Sequence, residues 1–141
     1  MSKTVFLFSG QGSQYQGMGK ELCDAYPEIK SMYDEASEIL GFDLADKSWN
    51  APEEELAQTV ISQPAIMMTS LAALECMKKN SIEFSAVAGH SLGEYAAMVA
   101  SGVLSFKDGF RVIKARAAAM QKAAENQHGV MCAVMGQTPE D

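Results

Sequence analysis

Gly89-His90-Ser91-Leu92-Gly93 is a G-x-S-x-G pentapeptide, and its residue types suit acyl chemistry on a serine. A short apolar run, Ala86-Val87-Ala88, precedes it, and a helix-forming run from Glu94 to Ala100 follows. Strand, sharp turn and helix in that order make a nucleophile elbow. The glycines let the backbone through a turn that would crowd a Cβ. Ser91 Oγ is then expected at the carboxyl edge of a sheet, beside a helix N-terminus. Free backbone N–H groups there can stabilise an oxyanion. The pentapeptide by itself also occurs as a plain tight turn; the strand and helix around it favour the chemical reading.

A second group follows the first apolar run. Gly10-Gln11-Gly12-Ser13-Gln14 invites a phosphate-binding reading, but G-x-G-x-x-G fails at Tyr15 and the P-loop lysine is absent. An oxyanion loop fits better. In elbow enzymes one donor is the N–H of the residue after the nucleophile, here Leu92, and the other comes from a loop after an earlier strand. Gln11 is the candidate for that second donor.

Arg116 is the third group. At about 100° per residue, Val112, Ile113 and Met120 fall within roughly 60° of it on the helix, while Lys107, Arg111 and Lys114 lie roughly 140–180° away. Arg116 therefore shares the apolar side. A guanidinium placed there needs an anion. An acid of this chain would serve; so would a substrate carboxylate held by the planar fork.

Composition narrows the classes. The chain has 141 residues, 48% of them hydrophobic, with a formal net charge of −7. That is one domain at most with enough apolar content for a core. The negative charge argues against a sequence-independent nucleic-acid binder. The apolar runs read as too short to span a bilayer, and the first residues show no secretory pattern. Cys23, Cys76 and Cys132 have neither disulfide-framework nor zinc spacing. They read as buried free thiols of a cytoplasmic protein. Asp34 to Glu55 carries eight acidic residues and one lysine, which suits a solvated face better than a docking surface.

The elements that must position these groups follow an α/β order. Thr4 to Phe8 reads as a strand buried on both faces. Helices are expected near Met18 to Ala25 and over Glu28 to Leu40, the latter ended by Gly41. Another starts at Asn50-Ala51-Pro52-Glu53. Gln63-Pro64 opens one running to about Lys79, with Asn80 as a left-handed cap. Ser105 to Asp108 fits a capping box for a helix to about Glu125, and Gly129 stops it. Val130 to Met135 reads as a third strand with nothing after it. Two or three strands make a poor parallel sheet, so the chain is expected to be a fragment or one half of a two-chain assembly.

Taken together, the chain resembles the malonyl-CoA:acyl-carrier-protein transacylases, the acyltransferase family of fatty-acid and polyketide synthesis. The residues carrying the resemblance are Phe6 to Gln14, Gln63-Pro64-Ala65, Gly89 to Ala97, and Arg116 with Met120-Gln121. It implies a parallel sheet covered by helices, with residues 1–128 forming part of an α/β-hydrolase-like large subdomain. Residues 129–141 would start a ferredoxin-like small subdomain. It implies Ser91 as the acylated nucleophile, and Gln11 with Leu92 as oxyanion donors. Arg116 would be the partner of the malonyl carboxylate, with Gln63 close to the site. Malonyl-CoA would be the substrate with no bound cofactor, and an acyl carrier protein the acceptor and partner. No nucleic acid or membrane is implied. Ala117 stands where the family often has glycine. The family's catalytic base is a histidine well downstream of the serine, and neither His90 nor His128 matches it. His90 beside the nucleophile is expected to pack or hydrogen-bond at the substrate site, and His128 to complement a helix dipole. The isolated chain is thus expected to be nearly inactive. A serine esterase with the same elbow and a non-catalytic fragment remain the alternatives.

Overall fold

The computed structural model describes residues 3–127 and Gly136. Nine elements follow in order: β1 (Val5–Phe8), α1 (Lys20–Ala25), α2 (Pro27–Leu40), α3 (Leu44–Trp49), α4 (Glu53–Leu56), α5 (Thr59–Lys79), β2 (Ala86–Gly89), α6 (Gly93–Ala100) and α7 (Phe106–Gln127). The α/β class holds, with helices predominating over a two-stranded sheet. His128, Gly129, Cys132, the expected strand Val130 to Met135 and the expected small subdomain lie outside the described residues, Gly136 apart.

β1 and β2 run parallel, with Val5 opposite Ala86 and Phe8 opposite Gly89. Side chains alternate across a strand, so Val5, Leu7, Ala86 and Ala88 share one face. Phe6, Phe8 and Val87 share the other and pack on the core, with the Phe6 and Phe84 rings 5.0 Å apart. The first face is open: Leu7 is 79% exposed and Val5 50%. The expectation of a strand buried on both faces is therefore corrected. An apolar run shows that a strand can be covered twice, but what covers it comes from elsewhere in the fold.

The core is built around α5, where Ile61 to Met68 are all buried. It packs against α7, α6, α3 and α2. A helix apolar on every side belongs at the centre of a fold. α5 begins at Thr59, four residues before the expected start, because Gln63-Pro64 lies inside it. Pro64 has no N–H and leaves the Val60 carbonyl without its helical donor, yet packing on all sides holds the helix through it. The longer helix also corrects the bilayer argument. By length and composition α5 could cross a membrane, but 61% of its apolar window is buried within the fold.

Several ends differ from expectation for local reasons. α3 lies between the expected helices, at Leu44–Trp49, where none is expected from the sequence; Asp43 caps it by accepting from the Asp46 N–H at 2.9 Å, and Leu44 is fully buried. Gly41 ends α2 in the left-handed region at φ 87°, as expected. Asn80 does not adopt that conformation, with φ −89°; Ser81 does, at φ 58°. Ser105 caps α7, its Oγ accepting from the Asp108 N–H at 3.1 Å.

Lys107, Arg111 and Lys114, the cations expected on the outer side of α7, are each engaged. Lys107 pairs with Glu35 at 3.1 Å and Arg111 with Asp108 at 2.7 Å, while Lys114 donates to the Ile39 carbonyl at 2.8 Å. They read as a solvated face tied to its neighbours. Cys76 is buried and Cys23 half-buried, both free; burial pushes both thiols above their ordinary pKa. Cys23 is thus less enclosed than expected.

Candidate active site

The elbow forms where β2 ends and α6 begins. Ser91 sits in the left-handed region at φ 55°, a conformation that costs an L-residue about 1–2 kcal/mol. Strain at a serine between strand and helix is the backbone signature of a nucleophile elbow. Both motif glycines are required by close approach. A Cβ on Gly89 would strike the Gly93 and Glu94 backbone, and one on Gly93 would strike the Phe8 and Ser9 backbone. The same contacts bring the elbow against the end of β1. The His90 N–H donates to the Phe8 carbonyl at 3.0 Å, extending the strand pairing by one residue.

That docking carries the loop after β1 to the elbow. A Cβ on Gly10 would lie 2.6 Å from His90 Nδ1 and 2.8 Å from the His90 carbonyl oxygen. Gly10, lacking a side chain, therefore packs directly on the backbone and imidazole of His90, beside Gln11. Neither the Gln11 N–H nor the Leu92 N–H has a hydrogen-bond acceptor among the described residues. The Leu92 side chain is fully buried and anchors the start of α6 in the core. Ser91 and the His90 side chain are exposed.

Four of the expected residues join in one polar chain. Arg116 donates through Nη2 to Ser91 Oγ at 3.1 Å and through Nη1 to Gln63 Oε1 at 2.5 Å. Gln63 is fully buried, and its Nε2 reaches Gln11 Oε1 at 3.5 Å and Met120 Sδ at 3.3 Å. Gln11 Nε2 donates to Thr59 Oγ1 at 3.3 Å. The Arg116 guanidinium also lies 5.5 Å from the centroid of the Tyr95 ring, within cation–π range. Among the described residues no carboxylate lies within ion-pair distance of Arg116. Its charge is met by neutral acceptors and a ring face, which leaves room for an anion. Ala117, beside it, is 1% exposed, so its methyl group fills core space.

His90 does not join the chain. It packs against Gly10 and makes no side-chain hydrogen bond among the described residues, so it does not contact Ser91 Oγ as a base. Three further residues at the site were missed as contributors: Thr59, Tyr95 and Gln121. Thr59 precedes Gln63 by four residues, a spacing that shares one helix face. Starting the helix at Gln63 hid that signal. Tyr95 falls four residues after Ser91, inside the motif that carried the resemblance.

Comparison with known proteins identifies the family. The acyl transferase domain family matches residues 5–140. The malonyl CoA-acyl carrier protein transacylase of Bacillus subtilis is 46% identical over 140 residues, 99% of this chain and 44% of that protein. The mitochondrial malonyl-CoA-acyl carrier protein transacylase of Homo sapiens is 44% identical over 138 residues, 95% of this chain and 35% of that protein. The crystal structure of the Streptococcus pneumoniae enzyme superposes with a TM-score of 0.82 at 45% identity, covering 86% of this chain and 39% of that one. A malonyl-transacylase solved in complex with its type II polyketide acyl-carrier protein gives 0.81 at 41% identity, covering 86% and 40%. The chain thus spans less than half the length of these relatives. With the family matched over nearly all its residues and the elbow, loop and arginine assembled as described, the chain belongs to the acyl transferase domain family.

Proposed function

We propose that this chain carries the acyl-binding half of a malonyl-CoA:acyl-carrier-protein transacylase. The observation that carries the reading is Arg116: a guanidinium 3.1 Å from the strained Ser91 hydroxyl, with no carboxylate partner among the described residues. A simple esterase acting on neutral acyl groups has no use for such a cation. A malonyl group bound through its thioester carbonyl to Ser91 carries a carboxylate two carbons away, within reach of that guanidinium.

The reaction is a ping-pong exchange. Ser91 Oγ attacks the malonyl-CoA thioester carbonyl, and its proton leaves to a base. The Leu92 and Gln11 N–H groups receive the oxyanion. The tetrahedral intermediate collapses, the carbon–sulfur bond breaks, and CoA leaves as its thiol after protonation. Malonyl-Ser91 remains with its carboxylate on Arg116. The phosphopantetheine thiol of an acyl carrier protein, giving its proton to the base, then attacks the ester; the Ser91 Oγ–carbon bond breaks, Ser91 regains a proton, and the malonyl group leaves as the carrier thioester. The base is supplied from beyond the described residues, since Arg116 is the side-chain partner of Ser91 Oγ among them. We place residues 1–128 in an α/β-hydrolase-like large subdomain and residues 129–141 at the start of a ferredoxin-like one. A cytoplasmic location accords with the free thiols.

Intact-mass spectrometry of a full-length transacylase carrying this segment, mixed with malonyl-CoA, tests the reading. A malonyl adduct that maps to Ser91 and moves on to acyl carrier protein is expected. An adduct elsewhere, or one surviving Ser91→Ala, overturns it.

A further inference from the structure

We propose that Thr59 is a positioning residue for the oxyanion loop, with Gln121 as its support; this rests on the proposed transacylase reading. Gln11 is half-buried in a glycine-rich loop, where neither strand nor helix hydrogen bonds fix its backbone. Ser13 Oγ braces the loop from within by donating to the Gly10 carbonyl at 2.8 Å; the Gln11 side chain ties it to the rest of the fold by being held at both ends. Nε2 donates to Thr59 Oγ1 at 3.3 Å, and Oε1 accepts from Gln63 Nε2 at 3.5 Å. Thr59 and Gln63 stand one helical turn apart on α5, so together they form a rigid two-point clamp for one amide.

The clamp needs the first turn of α5 to stay wound. Its N-cap residue, Gln58, gives no side-chain cap, and the first N–H groups of a helix have no acceptor within it. Gln121 reaches over from α7 and accepts from the Thr59 N–H at 3.2 Å. α7 thus carries Arg116 towards Ser91 and, five residues on, the group that caps the turn holding Gln11. Carboxylate recognition and oxyanion stabilisation are referred to the same helix. A donor must meet the oxyanion, not the ground-state carbonyl, to lower the barrier. Freeing the Gln11 side chain therefore slows acylation without weakening malonyl-CoA binding.

The test is single-turnover acylation of Ser91 by malonyl-CoA in a full-length transacylase carrying this segment. Thr59→Val keeps the shape and removes the hydroxyl acceptor. The saturating acylation rate is expected to fall about 2- to 12-fold, the worth of one neutral hydrogen bond. The half-saturating malonyl-CoA concentration should not move, and Thr59→Ser should restore the rate. Gln11→Met loosens the same link from the loop side. It removes the Gln63 contact as well and should cost at least that factor, and Thr59→Val added to it should cost little more. This loop variant also tests the link should Thr59→Val fail to fold. An unchanged rate in both variants, or fully additive losses in the double variant, overturns the inference. Loss that appears in half-saturation alone, or that Thr59→Ser does not repair, overturns it as well. If wild-type acylation persists in Ser91→Ala, the transacylase reading falls instead.

Discussion

On the proposed transacylase reading, Arg116→Ala in a full-length transacylase carrying this segment separates carboxylate recognition from general acyl transfer. The substitution removes three contacts at once: the donors to Ser91 Oγ and Gln63 Oε1, and the charge over the Tyr95 ring. For the bound malonyl group the loss is a charge-assisted hydrogen bond, about 1.5–3 kcal/mol, or about 10- to 150-fold in rate. Ser91 is exposed and Arg116 only half-buried, so water competes for the carboxylate and the lower end applies. We expect kcat/KM for malonyl-CoA to fall about tenfold relative to acetyl-CoA. Stability should fall too, because Gln63 Oε1 belongs to a fully buried residue and loses its donor, at about 1–3 kcal/mol. Arg116→Lys should recover part of the malonyl rate but cannot span both Gln63 and the carboxylate, since it presents a point charge rather than a fork. The assay compares transfer from malonyl-CoA and acetyl-CoA to an acyl carrier protein, with thermal unfolding alongside. Equal losses for the two thioesters would refute the argument, because Arg116 would then serve the fold or the oxyanion and not the carboxylate.

Three further outcomes follow from the elbow and the helix cap. Ser91→Gly should be more stable than Ser91→Ala by about 1 kcal/mol, because glycine relieves the left-handed strain; equal denaturation midpoints would mean the strain is not stored there. Gly93→Ala should cost about 3 kcal/mol or more, since the new methyl meets the Phe8 and Ser9 backbone and not a yielding side chain; a mild effect on urea unfolding would contradict the close packing of elbow and β1. Ser105→Ala should cost about 1 kcal/mol at neutral pH through the lost cap. The Ser105 hydroxyl, and secondarily Arg111, hold the Asp108 carboxyl below its ordinary pKa. That contribution is complete above the unfolded carboxyl range near about pH 4 and is lost as pH falls through the lower folded value. Stability measured from pH 6 down to pH 2 should therefore decline less steeply in Ser105→Ala than in the parent, and an identical acid limb would count against the assignment.

The elbow was legible because its cause is local. Gly89, Ser91 and Gly93 specify a turn through backbone geometry over five residues. Arg116 was legible because helical periodicity decides which way a side chain points. The same period placed α2, with Gly41 stopping it. Other features had no local cause. Whether Val5 and Leu7 are covered depends on what packs over the sheet, not on β1. The true start of α5 was hidden because proline at a helix opening and proline inside a fully packed helix look alike in sequence, and Thr59 was lost with it. The contacts among Gln11, Thr59, Gln63, Arg116 and Ser91 span separations of 25 to 53 residues. Residue types alone named most of those participants. Their pairing, which amide end meets which partner, was decided when α5 and α7 packed and the Gly10 loop closed against His90, because hydrogen bonds are set by distance and direction that neither type nor spacing encodes.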